Sequence, residues 1–182
     1  MSTMSGHRGN AYKNYRNRTN FIFLIAIISL LSMLAWGVAR TINVVQFKMN
    51  CEQYIKRAAD ASSIDIAKGE IEKVLNYCEN NGLTEGVASI FFKQPKNDVG
   101  FWYRNLKTAH EEMSNLPEDT STLEETNLLM KIRETLVDTD EYGAEPTVPD
   151  GISIYPYNQL YFWWFTISLA AFIFVSCCDK RF

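Results

Sequence analysis

Two uninterrupted apolar runs frame the chain, and a stretch of helical periodicity fills the space between them. Phe21 to Ala39 is 19 residues without a charged side chain, and Leu160 to Cys178 is another 19. At about 1.5 Å per helical residue each run reaches about 28 Å, close to the roughly 30 Å hydrocarbon core of a bilayer. Both therefore read as transmembrane helices.

Between them the apolar positions recur at helical spacing. Val44, Phe47, Cys51, Tyr54, Ile55 and Ala58 share one face of a helix from about Ile42 to Asp60, and no Gly or Pro parts it from the first run. A second helix is predicted from about Ile64 to Asn80, with Ile64, Ala67, Ile71, Val74, Leu75 and Cys78 inward. Ser62 or Ser63 can cap it, and Gly82 followed by Leu83 reads as its stop. A third, capped by Asn97 or Asp98, runs to about Leu116 with Trp102, Leu106, Ala109 and Met113 as its stripe. Ser121 and Glu124 form a capping-box pattern that opens a fourth, reaching about Val137. Residues 142–151 carry two prolines and two glycines and must be extended or turning. Residues 87–92 and 152–154 are short and apolar, and a β pair between them would tie the end of the domain to its middle.

The expected fold is mainly α: two transmembrane helices flanking an extracytoplasmic, mostly helical domain, with room for that one short β pair. The boundaries are a cytoplasmic basic tail at 1–20, helix one at 21–39, the domain at 40–159, helix two at 160–178 and a cytoplasmic tail at 179–182.

Charge sets the orientation. Residues 1–20 hold Arg8, Lys13, Arg16 and Arg18 and no acid, and the chain ends Asp179-Lys180-Arg181-Phe182. From Val137 to Gln159 there are acids and no Lys or Arg. Short basic segments stay in the cytoplasm, so both termini are read as cytoplasmic, in a plasma or bacterial inner membrane. Arg40, Lys48, Lys56 and Arg57 run against this, although Arg40 can snorkel. A cleaved signal peptide ending at Gly37-Val38-Ala39 is the competing reading of the first run. It is disfavoured because 19 residues exceed the roughly 7–15 of a signal core. Trp36, Tyr161, Trp163 and Trp164 suit the membrane interface, where aromatic rings keep one edge wet. Neither run holds an Asp, Glu, Lys or Arg, which argues against transport through this chain alone. Ala26, Ser29, Ser32 and Ala35, with Ser168 and Ala171, are small enough for close packing of the two helices.

Residues 41–157 carry 11 basic and 20 acidic side chains, a net of −9 in a chain of −3. An acidic domain lacks the basic face that phosphate binding needs, so nucleic acid is not an expected partner. The expected partners are the lipid bilayer and either a second copy or another membrane protein.

Cysteine is the leading chemical candidate. Cys51 and Cys78 each lie on an apolar helix face, and a disulfide between them is expected in an oxidising compartment. A tight antiparallel hairpin would not align them, so the bridge requires a longer or bent turn. Two buried thiols are the other reading. Cys177-Cys178 ends the second run, as apolar filler or as a lipidation site. Metal and cofactor sites are not expected: there is no Cys-x-x-Cys, and the histidines are His7 and His110. His110 beside Glu111 and Glu112 reads as solvated, and Asp138, Asp140 and Glu141 as a solvated turn lacking a calcium-loop pattern. Phe101, Trp102 and Tyr103 make the densest aromatic patch, either a partner anchor or a pin into the core. With no nucleophile–base pair standing out, an enzyme is not expected. The leading expectation is a structural or interaction subunit of a membrane complex, and the runner-up an extracytoplasmic ligand-binding or sensing module acting through a partner.

Overall fold

The computed structural model describes residues 4–117, 119–140 and 143–179, with side chains from Asn17 onward except at positions 19, 140, 178 and 179. The side chains of His7, Arg8, Lys13, Arg16, Asp140 and Cys178, together with Glu141, Tyr142 and Lys180-Arg181-Phe182, lie outside the described residues. The protein is mainly helical with one two-stranded antiparallel sheet. It divides into two compact units: residues up to Arg40 with those from Leu160 on, and Thr41–Gln159.

The first unit is a pair of apolar helices, the longer part of α1 (Met4–Phe47) and most of α6 (Asn158–Asp179). Both are long and apolar enough to cross a membrane. Phe21, Phe23, Leu24, Ile28, Leu31 and Val38 on one helix, and Ile167, Ile173 and Phe174 on the other, are exposed. The two helices meet along a polar seam. Ser32 Oγ and Ser168 Oγ share a hydrogen bond of 2.9 Å, and Trp164 Nε1 donates to Ser32 Oγ at 2.9 Å. Trp36 Nε1 donates to the Tyr161 carbonyl at 2.8 Å while its ring packs on Phe165, centroids 4.7 Å apart. Ser29 and Ser168 are buried, as close packing requires.

The second unit begins with the last turns of α1, from Thr41, which give way to a π-helical turn, Lys48–Glu52, followed by α2 (Gln53–Ala59). Phe47, Cys51 and Ile55 are each four residues apart and all buried. Steps of four overrun a 3.6-residue turn, and the wider π turn absorbs the excess so that all three face the core. Next comes α3 (Ile64–Asn80), capped by Ser63, whose Oγ accepts from Ile66 N–H. Then α4 (Val99–Ser114) is capped by Asp98, whose carboxylate accepts from Phe101 N–H at 2.8 Å. The last of this group is α5 (Thr122–Leu136), held by the Ser121–Glu124 capping box. The Ser121 hydrogen bonds hold the Glu124 carboxyl below its usual range. The core they enclose includes Phe47, Ile55, Ile71, Val74, Leu83, Val99, Trp102, Leu106, Ile132 and Leu136.

The strands fall elsewhere than expected. β1 (Val137–Asp140) pairs antiparallel with β2 (Gly143–Pro146), Val137 opposite Pro146. Residues 87–92 are not a strand, because the segment folds back on itself. Ala88 N–H donates to Asn97 O and Val99 N–H to Gly86 O, both at 2.9 Å, with an isolated bridge between Val87 and Asp98. Ile152–Ile154 is a single 3₁₀ turn, entered through Gly151 at φ 80°. The end of the domain is nevertheless tied to its middle, by side chains. Asn158 Nδ2 donates to Ala88 O at 2.6 Å, Tyr155 Oη to Glu85 O at 2.8 Å, and Asn97 Nδ2 to Asp150 O at 3.2 Å.

Candidate functional site

The start of α4 forms one wall of a concavity in the domain. Asp98 fixes the first turn, and from there Phe101, Trp102, Asn105 and Leu106 project to one side. The opposite wall is the end of α5 with Thr135 and Leu136, then Asp138 and the strap Pro146–Asp150. The cavity between them is about 630 Å³. Trp102 is 7% exposed and forms its floor, and the indole N–H donates to Thr147 O at 2.8 Å. Thr147 is held from its other side as well, its N–H donating to Leu136 O at 2.9 Å. The strap is thus laced to both walls. Pro95, Pro146 and Pro149 give rigid apolar edges, and Lys96 pairs with Asp150 at 2.7 Å on the rim.

The three aromatic residues singled out in the sequence point in three directions. Phe101 is 55% exposed and edges the cleft. Trp102 is shared between cleft and core. Tyr103 turns the other way, to α3, where its hydroxyl donates to Glu79 Oε1 at 2.7 Å. Burial, with the neighbouring Glu79 carboxylate, pushes this phenol up to about 12.

Cys51, in the π turn before α2, and Cys78, in the last turn of α3, are brought within hydrogen-bond reach, both fully buried. For them to meet, α3 must begin about 9 Å beyond the end of α2, since 14 residues separate Ile64 from Cys78 and 8 separate Cys51 from Ala59. The Asp60–Ser63 turn, with Ser63 extended at φ −145° and ψ 155°, supplies that offset. The expected bridge is not formed here: both are free thiols. The hydrogen bond to Cys78, followed by burial, drives the Cys51 thiol far above its usual range, so it stays protonated and is a poor nucleophile.

Of the four aromatic residues assigned to a membrane interface, Trp36 and Trp164 turn their N–H groups to the facing helix, whereas Trp163 is exposed. Tyr161 is half-buried and lends its carbonyl. His110 is half-buried rather than solvated, with Nε2 enclosed and no hydrogen-bond partner. Among the described residues no group of His, Cys, Asp and Glu could hold a metal ion.

Two features escape a reading of the sequence. Glu70 is buried and accepts from Arg57 at 2.9 Å and Lys73 at 3.0 Å through one oxygen, both cations lying over the Tyr54 ring. This clamps α2 to α3. Lys73 at i+3 was a visible signal; Arg57, on another helix, was not. The second is the strap at 146–150, whose role as a cleft wall depends on Trp102, 45 residues before its anchor.

No protein-family model, curated protein or solved structure matches the chain.

Proposed function

We propose that the chain is a non-enzymatic, two-span membrane protein with both termini cytoplasmic, whose acidic helical domain engages a protein partner through the cleft floored by Trp102. The partner is a second copy or another membrane protein. The observation that carries the reading is the construction of that cleft. It has an aromatic floor, an exposed Phe101 at its edge, proline walls and a polar rim, the pattern in which interface anchors are seated. Three of its charged groups are engaged, Asp98 as a helix cap and Lys96 with Asp150, and Asp138 adds a carboxylate to the wall. A second reading, a ligand-binding or sensing module acting through a partner, is favoured by the volume. About 630 Å³ lies within the roughly 300–1,000 Å³ of small-molecule sites.

The test is purification in mild detergent of the parent and of Phe101→Arg. A protein recovered in stoichiometric amount with the parent, and lost from a variant that melts normally, is the expected result. Equal recovery with the variant removes the cleft from the interface. A retained small molecule in place of a protein selects the second reading. The orientation is tested separately: a reporter active only in the cytoplasm is expected to be silent at Asp119, and activity there overturns it.

A further inference from the structure

The lining of the Trp102 cleft is lopsided in charge. Asp98, Asp138 and Asp150 give it three carboxylates, and Lys96 is its one cation among the described residues. That ammonium is taken, paired with Asp150 at 2.7 Å. Asp98 is taken too, because its carboxylate accepts from Phe101 N–H at 2.8 Å and closes the first turn of α4. Asp138 is left over. It is exposed, and among the described residues no hydrogen bond or ion pair reaches its carboxylate. Its place on β1 sharpens the imbalance. Asp138 stands opposite Glu145 in the β1–β2 ladder, and like charges directly opposite each other destabilise a strand pair. Lys48 and Lys56 share a neighbouring hollow with Glu145, whereas the cleft has no unpaired cation to set against Asp138.

These details select the chemistry of an occupant. An anion is disfavoured, because backbone N–H groups that open α4 are already bonded: Val99 to Gly86 O, Phe101 to the Asp98 carboxylate and Trp102 to Asp98 O. A metal ion is not supported, since among the described residues no group of His, Cys, Asp and Glu could hold one. An organic cation on an apolar stem fits both parts of the wall. The free carboxylate accepts its N–H donors, and Phe101, Pro146 and Val148 give the stem apolar contact. Arginine suits the site better than lysine. Its planar guanidinium meets a carboxylate through two N–H groups and stacks on an exposed ring such as Phe101. The domain as a whole, at −9 over residues 41–157, draws a basic partner towards it.

We propose that the cleft takes a basic segment of the partner protein and seats one of its arginines against Asp138 and the Phe101 ring. This rests on the cleft being a protein-docking site. The test uses the full chain in mild detergent with 4-trifluoromethylphenylalanine at position 101, whose single fluorine resonance reports occupancy of the cleft. The probes are acetyl-Leu-Arg-Leu-amide and its glutamine and glutamate counterparts. The arginine peptide is expected to shift the resonance saturably and to bind about twofold to fivefold more tightly than the glutamine peptide, the range of one solvent-exposed ion pair. The glutamate peptide is expected to bind most weakly. Asp138→Asn is expected to bring the arginine peptide down to the level of the glutamine peptide and to leave the latter unchanged. Equal affinities for arginine and glutamine, or an arginine preference that survives Asp138→Asn, overturn the basic occupant and leave the docking site standing. No saturable shift with any of the three overturns the docking site, and the basic occupant with it.

Discussion

Trp102 belongs to two environments at once, and its substitution separates them. The ring fills the core between α4 and the strap, and the N–H secures Thr147. Trp102→Ala is expected to cost about 3–5 kcal/mol, the range for truncating a buried aromatic. Trp102→Phe keeps much of the packing and strands the Thr147 carbonyl, at about 1–2 kcal/mol. Denaturant titration of the full chain in detergent, followed by near-ultraviolet circular dichroism, measures both; an unchanged midpoint for the alanine variant would place the ring outside the core. Tyr103 offers a pH signature. Its folded-state value, about 12, lies above the ordinary 10.0, so folding favours the protonated phenol. Its contribution is complete below about pH 10 and is lost as pH rises through about 12, because the unfolded chain releases the proton first. Tyr103→Phe is expected to show a shallower fall in melting temperature across that window than the parent, and parallel curves would refute the linkage. Caps such as Ser63, Asp98 and Ser121 were legible in the sequence because they act within three residues. The partner of Tyr103 was not, since Glu79 is 24 residues away.

Among the elements, the α2–α3 hairpin concentrates the most chemistry. Its apolar faces were readable from period alone, and the bent turn that aligns Cys51 with Cys78 was the stated condition for their meeting. As free buried thiols they are expected to resist alkylation in the folded chain and to be labelled only in denaturant. Mass spectrometry after alkylation under both conditions, without reduction, checks this: equal labelling of the folded chain would refute the burial. The β1–β2 hairpin was the element least legible. Val137 continues the apolar stripe of α5, yet it opens β1 opposite Pro146, a partner nine residues on that the helical period does not reveal. The seam between the apolar helices was half legible. Ser29, Ser32 and Ser168 stood out as small, but that Ser32 serves both Trp164 and Ser168 needs the facing helix. Such bonds contribute about 0.6–2 kcal/mol each in lipid.

At the scale of the whole molecule, composition was the clearest guide. Two apolar runs and an acidic middle divide the chain at nearly the same residues as its two compact units. Long-range closure was invisible, because single polar side chains late in the sequence perform it. The carbonyls of Glu85 and Ala88 are claimed from 70 residues downstream, by Tyr155 and Asn158. The cleft floor waits in the same way for Thr147. This arrangement dictates an order of manufacture. The α2–α3 hairpin can form as soon as it emerges, whereas the carbonyls of Glu85 and Ala88 lack their last partners until residues 155 and 158 have emerged. The second apolar run follows directly, from Leu160. The residues that complete the domain are thus the last to emerge before that helix, and a chain ending before residue 147 would leave Trp102 N–H without its acceptor.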